Sequence, residues 1–516
     1  MPPTLARRYF FKLASNLVSV PVYLIMEAVL PRALGPRAYG DYNFATSVFQ
    51  QLSGFLDMGT STCFYNELSR RPEDGSLVSF YLRVALIVFA LMTIAGLALL
   101  WPTIGSLALP DTPLWYAPLA AIWAFLTWAS RVLRSMNDAA GLTVSSEIWR
   151  SAISIAAALL LLALFFANAL NIASLFVQQY IFLGASALAF WLIVRAYWKR
   201  RGATLSLSLP SRAAKIYARQ FFNYSHPLFV QALLSFVLLT SERWLLQWFD
   251  GGTQQGFYAL SQKISMACFL FVSAMTPLLM REFSIAWGKK DLNAMGSLLS
   301  RFAPMLYALA AYFSCFTVAE AKTLVSIFGG AEFAAAVLPV QIMALYPLHQ
   351  AYGQMAGSVF HASGKTKILR NIAALECVYG LALAWIFIAP SRLCGLNLGA
   401  SGLAIKTVLA QFITVNLYLW MASRLVPFDF WRNLARQFLI VFVLLGAAYV
   451  CGFAASLILP ESVFPWRFIL SGVLYTTLYA AIAFTFPALL GLSKRERREL
   501  IARFWKRKTP GRDQTS

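Results

Sequence analysis

Charge is scarce in this chain: Asp, Glu, Lys and Arg make up 12% of its 516 residues, and 59% are hydrophobic. An ordinary soluble domain carries about 25% charged residues. The composition therefore excludes a water-soluble fold of this length, whose surface would lack ionic cover. Histidine is scarcer, with only His226, His349 and His361. No histidines, carboxylates or cysteines stand at metal-ligand or nucleophile-elbow spacing, so the expectation is no metal, no cofactor and no enzymatic reaction. Gly364-Lys365-Thr366 ends like a phosphate-binding loop, but Val359 stands where that loop needs its first glycine, and no strand precedes it. Six cysteines, Cys63, Cys268, Cys315, Cys377, Cys394 and Cys451, are scattered singly without a CxxC, which excludes a disulfide framework. Acidic residues are also few, 21 against 43 basic ones, for a net charge of +22. That excess does not point to nucleic acid, because the basic residues are divided among many short loops instead of forming one stripe interleaved with aromatics. The implied partner is anionic membrane lipid.

What the chain has in abundance is long apolar runs. Segments such as 84–100 and 153–166 are apolar throughout, without the strict alternation of barrel strands, so the spans are helices. The expected fold is all-α: a polytopic membrane protein of about 14 transmembrane helices. Spans fall near 9–33, 41–66, 77–101, 113–135, 146–166 and 172–196, then 216–243, 254–281, 294–318, 333–360, 368–390 and 399–422, and finally 432–459 and 465–490. Lysine and arginine gather in every second gap, for example Arg70 and Arg71, Lys289 and Lys290, and Lys365 and Lys367, whereas 102–112 and 167–171 hold neither. Both termini are therefore expected in the cytoplasm. The N-terminus has basic residues but no compact apolar run before a small-residue cleavage site, so the first helix is expected to be retained.

The pattern also repeats. The stretch from Tyr9 to LGPRAYGDYNFA is echoed about 215 residues later by QFFNYSHP running to FDGGTQQGFYAL, and SRVLRSMNDAAGLTVSS by AGSVFHASGKTKILRN, with Gly141 and Gly364 in the same place. The expected organisation is an N-terminal six-helix bundle (1–196), a basic cytoplasmic linker (197–215), a C-terminal six-helix bundle (216–422), two additional transmembrane helices (423–490) and a basic cytoplasmic tail (491–516). Six helices separate the copies, so their symmetry axis lies along the membrane normal. In the tail, Leu500, Ile501, Phe504 and Trp505 recur among basic residues at helical spacing, which reads as a helix lying on the inner leaflet.

The opening basic-aromatic helix with Asn16, the turn LGPRAYGDYNF, the segment GFLDMGTSTCFYNELSR with Asp57 and Gly59, and GFYALSQKIS with Lys263 together resemble the polysaccharide transporters, or Wzx-type oligosaccharide-lipid flippases, of the multidrug/oligosaccharidyl-lipid/polysaccharide (MOP) exporter superfamily. The resemblance covers nearly the whole chain. It implies two bundles around a cavity, location in the bacterial inner membrane, and passage of an undecaprenyl-diphosphate-linked oligosaccharide repeat unit by alternating access, for O-antigen, capsule or exopolysaccharide synthesis. Polysaccharide polymerase or glycosyltransferases are the implied protein partners.

A diphosphate and its sugars cannot cross hydrocarbon without a hydrated or charge-compensated path, so ionisable residues inside spans carry the site expectation. Lys263, Lys406, Arg243, Arg150 and Lys12 are the candidate substrate-binding cations, each also able to snorkel to an interface. Glu27, Asp57 and Glu376 are coupling-ion or gating candidates, each also suited to a structural ion pair or packing role. The neighbours Glu242 and Arg243 cannot share a helix face. Prolines inside spans, Pro21, Pro227, Pro277, Pro304, Pro339 and Pro347, are expected to bend their helices. Three alternatives stay open: a MATE-like drug or cation antiporter, a cell-wall lipid precursor flippase, and a membrane glycan polymerase or ligase, the last disfavoured by short outer loops.

Overall fold

The computed structural model describes residues 5–200, 211–273, 276–460 and 463–487. The amphipathic tail and most of the basic linker lie outside the described residues. Within them the chain is helical, with no strand. Ten helical segments are long and apolar enough to cross a membrane, which makes this a multi-pass membrane protein.

In chain order the helices begin with α1 (Leu5–Asp57), α2 (Thr60–Arg70), α3 (Gly75–Ala98), α4 (Pro102–Ala108), α5 (Tyr116–Ala139), α6 (Thr143–Phe166), α7 (Ile172–Arg200) and α8 (Ser211–Ser273). They continue with α9 (Thr276–Gly288), α10 (Leu292–Ala319), α11 (Ala321–Phe328), α12 (Val337–Met343), α13 (Tyr346–Ala362), α14 (Thr366–Ile388), α15 (Gly399–Ser423), α16 (Phe430–Ile458) and α17 (Phe464–Thr485). Packing divides the chain into two compact units.

The first unit comprises Met1–Ala259, Ile327–Phe333 and Ala384–Ala400. In it α1 packs on α5 and α6, α5 on α3 and α7, and α6 on α7. The face of α5 is lined by Ala117, Ala120, Ala121 and Ala124, all buried. Such small side chains let helices approach closely where lipid supplies no hydrophobic drive for association. The second unit comprises Leu260–Ser326, Ala334–Leu383 and Ser401–Ser516, with α10 packed on α13 and α16, α13 on α9, and α16 on α17. Its core stacks Tyr307 on Tyr352 among buried alanines of α10. Outward, α16 presents Phe438, Phe442, Phe453 and Leu457, all exposed, as expected of a lipid-facing stripe.

The sequence repeat has a backbone counterpart. Both α1 and α8 run through a kink at a glycine with almost the same dihedrals, φ 70°, ψ 170° at Gly35 and φ 73°, ψ −176° at Gly251. Only glycine adopts this region without strain, which is why each copy carries it there. The second echo is a shared helix ending: Leu142 N–H donates to Asn137 O across Gly141, and Lys365 N–H to Phe360 O across Gly364, the six-to-one bond of a Schellman motif.

The helices do not follow the expected spans one for one. The spans 9–33 and 41–66 are two helices that meet directly at Gly35 with no loop between them, and the second ends at Asp57 and not near residue 66. The span 333–360 is instead broken: α12 ends at Met343 and α13 restarts with Pro347 in its first turn, where its missing N–H costs nothing. The outer loop 102–112 holds the short helix α4. Pro21 lies inside α1 and Pro304 inside α10, as expected of helix-bending positions. All six cysteines are free, and only Cys394 is exposed.

Candidate functional site

In the first unit, α1 carries Ser15, Ser19, Tyr23 and Glu27 at intervals of four residues, so helical periodicity puts all four on one face. Ser15 and Glu27 are buried at 5% and 7% exposure. An apolar helix that aims hydroxyls and a carboxylate into protein must satisfy them there.

At the Ser15 end stands a cluster of two arginines on one carboxylate. Glu147, at the start of α6, is fully enclosed, and its Oε2 accepts from Arg150 Nε at 2.8 Å while its Oε1 accepts from Arg134 Nε at 3.2 Å and from Arg134 Nη2. Arg150 also donates through Nη1 to Ser19 Oγ at 2.9 Å and through Nη2 to Ser15 Oγ at 2.6 Å. Ser15 Oγ in turn lies 2.7 Å from Ser151 Oγ. The cluster stitches α1, α5 and α6 together and carries a net charge of one positive, with 30% of the Arg134 and 19% of the Arg150 side chain exposed. By the distribution of basic loops, this is the cytoplasmic end.

At the other end Glu27 accepts hydrogen bonds from the hydroxyls of Tyr23 and, at 3.3 Å, Tyr39. Glu27 precedes the Gly35 kink by eight residues and Tyr39 follows it by four; Arg243 and Gln255 hold the same two places around Gly251. Arg243 Nη1 donates to Gln255 Oε1 at 3.1 Å, and its guanidinium lies 4.5 Å from the centre of the Tyr258 ring. The contact of Tyr39 with Glu27 thus recurs in the second copy with the opposite charge. Beyond it, the two kinks interlock: a Cβ on Gly40 would fall 1.8 Å from Gly252 O, and one on Gly256 2.1 Å from Pro36 O. Gln247 closes the contact by donating to Asp41 Oδ1 at 3.0 Å and Thr112 Oγ1 at 3.2 Å.

Of the expected site residues, the structure brings Arg150 onto the same polar face as Glu27, with Arg243 beside the second kink. Lys12 is on the α1 backbone, and its side chain lies outside the described residues. In the second unit, Lys263 on α8 and Glu376 on α14 are half-buried. Lys406 on α15 is 3% exposed, so in this conformation its ammonium is enclosed by protein. Asp57 sits where α1 ends, just before Met58 and Gly59 with φ 42° and 78°, and although Gly59 holds the N-cap position of α2, the Asp57 carboxylate serves the first turn of that helix. It accepts from Ser61 N at 3.2 Å, Ser61 Oγ at 2.7 Å and Trp128 Nε1 at 3.0 Å. Replacing it by alanine is expected to destabilise the protein by about 1 kcal/mol, a capping loss visible as a lowered melting temperature in detergent. Arg134, Glu147, Ser15, Ser19, Tyr23, Tyr39 and Gln255 are site members that sequence reasoning did not single out. No group of three or more metal-ligating side chains comes together among the described residues.

The chain aligns with the lipid II flippase MurJ in an inward closed conformation at a TM-score of 0.68 and 15% identity, over 92% of this chain and 99% of that one. A multidrug resistance MATE family transporter of the MOP superfamily, in an inward-facing conformation, aligns at 0.58 and 15% identity, over 80% and 95%. The outward-facing form of such a transporter aligns at 0.52 and 16% identity, over 81% and 95%. No curated protein sequence gives a significant match. The sequence profile described as "Polysaccharide biosynthesis protein" matches residues 5–279, more than half of the chain. With that match over more than half of its length, the chain belongs to the polysaccharide biosynthesis protein family, and it has the fold of the flippase and transporter structures it aligns with.

Proposed function

We propose that this protein is a flippase of the bacterial inner membrane that moves undecaprenyl-diphosphate-linked oligosaccharide repeat units to the outer leaflet by alternating access, for O-antigen, capsule or exopolysaccharide synthesis. The observation that carries the reading is the polar face of α1, with a cationic cluster at its cytoplasmic end, together with Arg243 near the matching kink of α8. A diphosphate needs charge-assisted donors to leave water, and arginine offers them in a planar fork that matches phosphate oxygens. Arg134 and Arg150 are held in place by Glu147 and meet the headgroup first. The half-buried hydroxyls of Ser19 and Tyr23 supply donors and acceptors for sugars passing along the helix. Arg243 takes the diphosphate at the outer side, and the polyprenyl tail stays in lipid. Lys263, Lys406 and Lys12 are further diphosphate contacts in this scheme, and Glu27 and Glu376 are the carboxylates able to carry a coupling ion.

The test is complementation of a strain lacking the chromosomal gene by an Arg150→Gln/Arg243→Gln double variant. Glu147 keeps Arg134 as its counterion in this variant, so membrane abundance is expected to stay unchanged. Surface polysaccharide is expected to fall by about tenfold or more, the loss of one to two charge-assisted contacts. Normal polymer output at normal abundance would remove both arginines from the pathway.

A further inference from the structure

A second site lies within the second unit, at the end of α10, α16 and α17 opposite the basic loops. The last turn of α10 and the first of α11, together with α16 and α17, enclose a cavity of about 450 Å³ whose polar wall includes Glu320, Lys322, Thr323, Ser456 and Arg467. The seam between α10 and α17 continues from it as a mainly apolar furrow, lined by Phe313, Phe316, Ile469 and Val473, also of about 450 Å³. The two adjoin where the Phe316 ring packs 5.4 Å from that of Phe468, which lines the cavity. A charged chamber at headgroup depth that opens into an apolar furrow has the polarity profile of an amphiphile.

The charges specify the headgroup. Lys322 and Arg467 against Glu320 leave one net positive charge, which one phosphodiester neutralises. Glu320 is held in place by Ser471 Oγ, which donates to Oε1 at 2.7 Å, and by Thr323 Oγ1, which donates to Oε2 at 2.9 Å. Each carboxylate oxygen retains acceptor capacity, and because a phosphodiester already brings the charges of Lys322, Arg467 and Glu320 to zero, the group that completes the headgroup there is a neutral hydroxyl. A choline headgroup has no hydroxyl to donate and would bring a fixed positive charge against Lys322 and Arg467. We infer that this cavity binds an outer-leaflet anionic phospholipid with a hydroxyl-bearing headgroup, its phosphate on Arg467 and Lys322, its hydroxyl on Glu320 and an acyl chain in the furrow. The inference does not depend on the transported cargo.

Native mass spectrometry of the full chain with equimolar phosphatidylglycerol and phosphatidylcholine of identical acyl chains tests it. Wild-type protein is expected to retain one phosphatidylglycerol with about tenfold preference, the worth of one charge-assisted contact. The preference is expected to vanish in Lys322→Gln/Arg467→Gln and to persist in Lys365→Gln/Lys367→Gln, which removes the same charge from exposed positions in the cytoplasmic loop before α14 and at its start. Equal retention of the two lipids by wild type, survival of the preference in the first variant, or its equal loss in both variants would overturn the assignment.

Discussion

Replacing Glu147 by alanine is expected to cost the protein about 3 kcal/mol of stability, the penalty for leaving buried charge uncompensated. The carboxylate is fully enclosed and is the acceptor shared by Arg134 and Arg150. Without it, two guanidinium groups are left together between α1, α5 and α6 with serine hydroxyls as neighbours, and like charges repel in a low-dielectric setting. The lower end of the usual range applies because 30% and 19% of the two arginine side chains reach solvent. Melting of the purified protein in detergent, with membrane abundance beside it, measures the effect. Glu147→Gln keeps an acceptor oxygen but not the charge, and is expected to be almost as damaging. A Glu147→Ala protein that melts like the wild type would mean that the cluster does not hold these helices together.

This cluster also marks the limit of what the sequence discloses. Arg134 and Glu147 lie near helix ends beside a cytoplasmic connection, where basic residues are expected for topological reasons alone, so nothing local separates a buried arginine from a solvated one. Only the packing of α5 and α6 on α1 brings residues 131 and more positions apart into contact. Backbone requirements, by contrast, were readable. Gly141 and Gly364 stood out as repeat partners, and the echoed stretches that contain Gly35 and Gly251 stood out as a repeat, because the conformations at those places restrict the residue type. The apolar runs gave the all-helical membrane class, but not how directly the two helices within α1 and within α8 join, since a kink glycine and a loop glycine look alike in a string of letters. The equivalence of Glu27 and Arg243 was hidden by their opposite charge, and appears once both are counted from the kinks.

Gly40 and Gly54 lie on the same helix and are expected to respond to alanine in opposite directions. At Gly54 nothing stands within 4 Å of an added Cβ, so Gly54→Ala removes backbone freedom from the unfolded chain and is expected to stabilise by about 0.5 kcal/mol. At Gly40 the new methyl would meet Gly252 O at 1.8 Å and Gly256 N at 2.5 Å. Both are backbone atoms, and they belong to the other kink, so no side chain can rotate away. Either the kinks separate by more than an ångström, breaking the bond from Gln247 to Asp41, or the helix shifts along its length. Overpacking of this kind costs about 3 kcal/mol, and the bond lost adds about 1 kcal/mol. Melting temperatures of the two single variants and of the double variant decide the matter. Gly256→Ala, which meets Pro36 O at 2.1 Å from the opposite side of the same contact, is expected to match Gly40→Ala. Combining the two should cost less than their sum, because one separation of the kinks relieves both clashes. Strict additivity would mean that the two glycines act independently and that the kinks do not move as a pair.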